Sequence, residues 1–301
     1  MKGIILSGGL GTRLRPITSV VSKQLLPVYD KPMIYYPLSI LLSAGIKDII
    51  LVSNEHSLPM FKELFGNGSR IGVNMEYVLQ PKPEGIAQSF ILTEHLIKDD
   101  YVTLILGDNI FHTTSSLSDV LSLRNKCSLF GYQVSNPSQY GVAVFDKNGK
   151  LTEIQEKPST PPSNIAITGL YMYDSTVVER AKALKPSKRG ELEITDLSNS
   201  YISEGSAHLY TLNGAWLDMG SPEGLLQASN YVQTIQDRQG VKIGCLEEIA
   251  HINKMIGASE LQSAYEFHKG TEYGEHIKKI LYKHYEDTKK EYSKVIAIRG
   301  Y

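Results

Sequence analysis

The most constraining stretch comes at the start of the chain. A short apolar, β-branched run, Gly3-Ile4-Ile5-Leu6, passes directly into Ser7-Gly8-Gly9-Leu10-Gly11-Thr12-Arg13-Leu14-Arg15-Pro16. A strand ending in such a glycine cluster leaves its backbone free to approach a ligand closely, and successive free N–H groups in the loop form a concavity for anions. Further apolar runs at 49–52, 73–78, 102–106 and 129–134 read as strands, and 33–44, 58–65, 86–96 and 117–124 as helices. Strands alternating with helices predict βαβ units, a mainly parallel sheet and ligands at the carboxyl ends of its strands.

The second half adds antiparallel pairing. Asn148-Gly149 lies between Val142-Ala143-Val144 and Leu151-Thr152-Glu153-Ile154, which predicts a two-residue hairpin turn and so a mixed sheet. A strand at 166–173 and helices at 177–184 and 192–203 follow. Ser221-Pro222 supplies an N-cap and a first-turn proline for a helix to about residue 236. From 247 onward the sequence is helical and polar, with 282–301 as a helix extension or a tail.

Composition removes several classes of function. The 31 Lys+Arg against 32 Asp+Glu leave a net charge of −1, so no global basic field exists for nucleic acid or an anionic membrane. Cys127 and Cys245 are the only cysteines, with no C-x-x-C spacing, which fits free thiols in a reducing cytoplasm. The first apolar run is far too short for a signal peptide or a membrane span.

Charged residues gather around the presumptive strand ends. Arg13 and Arg15 are followed by Lys23 in Ser22-Lys23-Gln24-Leu25-Leu26-Pro27. No Gly-Lys-Ser/Thr triplet occurs, which excludes a P-loop. The dinucleotide pattern finds Gly9 and Gly11 but Leu14 in place of its third glycine, with Asp30 near the spacing of a ribose-binding acid. Abundant cations favour a triphosphate. Asp108 ends the apolar run of Leu104-Ile105-Leu106-Gly107-Asp108, as a metal ligand or a turn cap, and Trp216-Leu217-Asp218-Met219-Gly220 offers a second carboxylate. Glu156-Lys157-Pro158 reads as a strand end, salt-bridged or functional.

Taken together and in this order, Gly8 to Thr18, Ser22 to Val28, Gly107-Asp108-Asn109, Glu156-Lys157-Pro158 and Trp216 to Gly220 resemble the sugar-1-phosphate nucleotidyltransferases. The likeness extends to about Leu281. It implies a Rossmann-like core with a sugar-binding insertion over 1–240, a helical C-terminal region over 241–301, and a homotetramer. The activity implied is Mg2+-dependent, in-line transfer from dTTP to α-D-glucose 1-phosphate, giving dTDP-glucose and pyrophosphate. UTP or another hexose 1-phosphate, or an inactive nucleotide-sugar-binding regulator, are the alternatives. By the resemblance, Arg13 and Lys23 hold the triphosphate, and Gly8, Gly9, Gly11, Thr12 and Gln24 line the nucleotide. Gln80 and Gly85 read the base, and Asp108 and Asp218 bind Mg2+. Lys157 meets the sugar phosphate, and Asn109, Tyr140, Gly141, Glu156, Thr168 and Trp216 surround the hexose. A sugar phosphate is already anionic, so no general base and no Ser, Cys or His nucleophile is required. Two departures stand out. His112-Thr113-Thr114-Ser115 replaces the family's Tyr-Gly-His near its second, regulatory nucleotide site, and Met219 stands where threonine is usual.

Overall fold

In the computed structural model residues 1–113 and 117–299 are described, the side chains of Leu117 and 287–299 excepted. Strand β1 (Lys2–Leu6) has Ile4 and Ile5 fully buried on opposite faces, so it needs cover on both. It lies within a 9-stranded sheet, flanked in parallel by β4 (Asp48–Ser53) and β6 (Val102–Leu106), with Leu6 opposite Val52 and Leu106. Strand β5 (Asn74–Leu79) continues the parallel set beyond β4. On the other side, β11 (Ile165–Tyr173) runs antiparallel to β6 and also pairs with β8 (Cys127–Gln133) and β9 (Gly141–Phe145). The hairpin partner β10 (Leu151–Glu156) and the edge strand β12 (Ala207–Thr211), parallel to β8, complete the sheet. Two ribbons stand apart: β2 (Pro27–Val28) with β3 (Lys31–Pro32), and β7 (Asn109–Thr113) with β13 (Gly214–Asp218).

The strand period of two sorts the core. Ile5, Ile49, Leu51 and Ile105 face α1 (Tyr35–Ser43), α2 (Leu58–Phe65) and the C-terminal α9 (Leu246–Ile252), α10 (Ala258–His268) and α11 (Glu272–Arg299). Ile4, Ile50, Val52 and Leu104 face α3 (Gln88–Leu92), α4 (Glu94–Ile97), α6 (Val177–Ala183) and α7 (Ile194–Ser203). Each fully buried aliphatic side chain contributes roughly 1.5–3 kcal/mol. Helices α5 (Leu117–Ser122) and α8 (Pro222–Gln239) complete the set. The cap of α8 is the one its sequence predicts: Ser221 Oγ accepts from Gly224 N–H at 3.1 Å, with Pro222 in the first turn.

Three local expectations change. The helix predicted over 86–96 breaks at Thr93, whose hydroxyl donates to the Ser89 carbonyl at 2.7 Å while its backbone leaves helical angles. The predicted two-residue hairpin turn is a five-residue connection between Phe145 and Leu151. Gly149 has φ 78° but Asn148 is not left-handed, and the Asp146 carboxylate instead accepts the N–H groups of Asn148 and Lys150 at 2.9 Å each. Strand β12 and the β7–β13 ribbon appear where no strand is predicted, because both depend on partners distant in sequence. Thr114 and Ser115 of the departing loop lie outside the described residues. Among the described residues no helix is long and apolar enough to cross a membrane.

Candidate active site

Pairing of β1 with β6 sets their carboxyl-end loops side by side. Gly107 N–H donates to the Leu6 carbonyl at 3.0 Å, and a Cβ on Gly107 would lie 2.5 Å from Ser7 Oγ, so glycine is needed for the two loops to touch. From this junction a cleft of about 340 Å³ extends over β11. Gly11, Thr12, Arg13, Lys23, Asp108, Asn109, Tyr140, Gly141, Glu156, Lys157, Thr168, Trp216 and Asp218 all line it.

At the junction end, Lys23 is bonded to the Asp108 carboxylate. Asp218, 110 residues later in sequence, arrives by strand register: it lies opposite Asn109 in the β7–β13 ribbon, and Met219 N–H donates to the Asp108 carbonyl at 2.9 Å. Burial opposes ionisation of Asp108, but the Lys23 ammonium outweighs it and holds that carboxyl below its usual range. Asp218 goes the other way. Burial, and then the negative charge of Asp108, push its carboxyl up to about 6. Two half-buried carboxyls with one close ammonium form an oxygen donor set short of positive charge, which suits a hard divalent cation. Ser7 Oγ, beneath the junction, is the one buried side-chain polar atom without a partner among the described residues.

At the far end, Glu156 Oε2 accepts from Thr195 Oγ1 at 2.7 Å, and Oε1 faces Arg189 at 3.3 Å and the Lys157 ammonium at 3.6 Å. Lys157 has φ 44°, an uncommon backbone for a non-glycine residue, and its N–H donates to the Tyr140 carbonyl at 3.0 Å. Asn109 is a hub: Oδ1 accepts from Trp216 Nε1 at 2.7 Å and Gly169 N–H at 3.2 Å, while Nδ2 donates to Asp108 at 3.1 Å. The Tyr140 ring packs edgewise on Trp216 at 5.2 Å.

Other sequence candidates do not line the cleft. Gly8 and Gly9 precede its lining; a Cβ on Gly8 would fall 1.8 Å from Gln80 Oε1, so Gln80 lies directly against the glycine loop. Gln24 is buried beside Gly107 and accepts from Ser22 Oγ at 2.7 Å. Gly85, with φ +105°, presses on the Leu192 backbone. Thr168, which does line the cleft, has its hydroxyl turned away from a ligand role, donating to the Phe130 carbonyl at 2.9 Å. Arg15 is exposed outside the cleft, so of the three cations around the glycine loop only Arg13 and Lys23 reach it. Asp30 takes no part either: Lys31, Lys242 and Gln236 surround its carboxylate. Cys245, Glu248 and His276 place ligand-type atoms within 4.8 Å of one another outside the cleft, where His276 Nε2 is already paired with Glu248 Oε2 at 2.8 Å.

Sequence reasoning missed Arg189, Glu193 and Thr195. Arg189 Nη2 contacts both Glu193 oxygens, at 3.0 and 2.8 Å. No motif or spacing in the sequence around them assigns a role.

The sequence model of nucleotidyl transferases matches residues 2–235. The chain belongs to the nucleotidyl transferase family. A glucose-1-phosphate thymidylyltransferase of Neisseria meningitidis serogroup A is 48% identical over 288 residues, which cover 94% of this chain and 100% of the relative. A glucose-1-phosphate thymidylyltransferase of Mycolicibacterium smegmatis is 45% identical over 93% of this chain and 99% of its own. Among solved structures, a UDP-glucose pyrophosphorylase complexed with UDP-glucose superposes with TM-score 0.69 at 27% identity, over 77% of this chain and 98% of that one. In this nucleotidyl transferase, the cleft described above is the candidate active site.

Proposed function

We propose that the chain transfers a thymidylyl group from dTTP to α-D-glucose 1-phosphate, releasing pyrophosphate. The observation that carries this reading is the register of the β7–β13 ribbon, which brings Asp218 beside Asp108 and Lys23 at the edge of the glycine loop. Two acids beside an anion site would repel a triphosphate unless a cation lies among them, so Asp108 and Asp218 are the residues that would hold the metal, magnesium in this proposal. Bound there, a cation would supply charge that offsets the phosphates and the departing pyrophosphate.

The rest is done by the chain. Arg13 and Lys23 offset the charge of the triphosphate, and Lys157 offsets that of the incoming sugar phosphate, so that two anions can approach. Glu156, held by Thr195 and Arg189, accepts hydroxyls of the hexose, and Tyr140 with Trp216 walls the sugar side. Holding both substrates in line converts a bimolecular encounter into an effectively unimolecular step. Gln80, against the glycine loop, reads the base. A homotetramer in the cytoplasm belongs to the same proposal and rests on the family resemblance alone.

Pyrophosphate release, followed for dTTP, UTP and dCTP against a panel of hexose 1-phosphates with magnesium or with EDTA, tests it. Preference for dTTP and glucose 1-phosphate, abolished by EDTA, is the expected result. Preference for UTP would assign the chain instead to the UDP-sugar branch, and full activity in EDTA would remove the metal.

A further inference from the structure

Outside the cleft, a small chain of amides sits behind Gln80. Gln80 is 3% exposed and Gln88, at the start of α3, 8%. Gln80 Nε2 donates to Gln88 Oε1 at 2.7 Å. A carboxamide can ordinarily be turned over, exchanging its donor and acceptor ends. Here Gln88 cannot. Its Oε1 also accepts the Glu84 backbone N–H at 3.2 Å, a group that only donates, and its Nε2 donates to the Glu84 carboxylate at 2.8 Å, a group that only accepts when ionised. With both ends of Gln88 fixed by partners of single polarity, Gln80 must offer Nε2 to it. Gln80 Oε1 is thereby left facing the Gly8 backbone, and it has no hydrogen bond with any described residue.

We propose that Glu84 and Gln88 are positioning residues that lock the Gln80 amide in one orientation and so set which base pattern the site accepts. The proposal rests on the reading that Gln80 faces the base. The locked amide presents one acceptor, Oε1, and one remaining donor, the second N–H of Nε2. Thymine and uracil present the complement, N3–H as donor and O4 as acceptor. For a base held in the same pose, cytosine presents the reverse, with N3 as acceptor and the 4-amino group as donor. Donor then meets donor and acceptor meets acceptor. A free amide would relieve this mismatch by turning over; a locked one cannot. Discrimination between the two pyrimidine patterns therefore depends on Gln80 together with two residues behind it that do not contact the base.

The test compares kcat/KM for dTTP and dCTP, each with glucose 1-phosphate and magnesium, in three variants of the full chain. Gln88→Leu preserves size and removes the lock: the dTTP-to-dCTP ratio should fall about tenfold, one hydrogen bond's worth, through KM for the nucleotide and not KM for the hexose phosphate. The double exchange Glu84→Gln with Gln88→Glu keeps an acceptor facing Gln80 and a donor behind it, and should restore the ratio. Gln80→Leu serves as the control on the underlying reading and should collapse the ratio. If Gln80→Leu collapses it while Gln88→Leu leaves it intact, or lowers both nucleotides in parallel, the lock is overturned and the base reading stands. If Gln80→Leu itself leaves the ratio intact, the base reading fails and the lock falls with it.

Discussion

Two partly buried ion clusters in this protein look alike and behave oppositely. At the cleft, Asp108 and Asp218 share the close ammonium of Lys23. Behind it, the single Asp30 carboxylate accepts from Lys31 at 2.5 Å, Lys242 at 2.8 Å and Gln236 at 2.9 Å, and the Gln236 carbonyl in turn accepts from Ile243 N–H at 3.0 Å. Burial would raise the Asp30 carboxyl, yet the lysines hold it below its usual range, while Asp218 is pushed up to about 6. The second cluster is saturated and joins the β2–β3 ribbon to the C-terminal end of α8. The first is deficient in positive charge. Burial of charge does not by itself mark a site; an unbalanced sum does.

The largest expected effect would break the supposed strut. Asp30→Ala leaves Lys31, 5% exposed, without its counter-ion, and should cost about 3–5 kcal/mol in chemical denaturation. Turnover per folded molecule should stay within a few-fold of the parent. A large loss of turnover with stability unchanged would make Asp30 part of the site.

Next come the cleft acids. Asp108→Asn and Asp218→Asn should each lower turnover about 10²-fold. The double variant should lose much less than the product of the two if they act through one ion, which steady-state rates against magnesium concentration will show. Multiplying losses would mean that the acids act separately.

A pH series sharpens the contrast. The Asp218 carboxyl ionises near 6 in the folded chain against an ordinary 3.8, so between these values the native state keeps a proton that the unfolded chain has lost. Without metal, this group therefore makes stability fall as pH rises through that window and level off above it. Asp30 has the opposite sign: its contribution is present above 3.8 and lost as pH falls through its lowered folded value. Melting temperatures in EDTA should show Asp218→Asn gaining on the parent from pH 4 to 6. Parallel curves would contradict the charge deficit.

The smallest effect concerns the hexose end. Thr195→Val removes the 2.7 Å bond to Glu156 and should raise KM for glucose 1-phosphate by about 1 kcal/mol, or roughly fivefold, with KM for dTTP unmoved. Equal shifts in both would place Thr195 outside sugar recognition.

How legible these regions were from sequence differs for a physical reason. Lys23, Asp108 and Asp218 flank apolar runs and glycines, a local grammar of strand and loop that survives in one dimension. That β1, β4, β5 and β6 run parallel follows from the same alternation, whereas their order in the sheet comes only from the fold. Arg189, Thr195 and Gln88 matter only through partners brought to them by β10, α7 and α3, and nothing in their own neighbourhoods announces it. The split at Thr93 and the Asp146 turn were missed likewise, because single side-chain hydrogen bonds overrode propensity. Asp30 erred in the other direction, since spacing alone offered a ribose ligand where the fold built a strut.

The β7–β13 ribbon also says something about synthesis. Asp108 leaves the ribosome 110 residues before Asp218, and at about 5–20 residues per second the two are separated by roughly 5–20 s of translation. During that interval the glycine loop, Lys23 and Asp108 can already be in place, yet the second acid has not been made. Until Asp218 is made, the two-carboxyl centre beside Lys23 cannot form. The stretch between the two aspartates fixes an order of synthesis: Tyr140, Glu156, Lys157 and Thr168, at the far end of the cleft, are made before Asp218 completes the acidic pair.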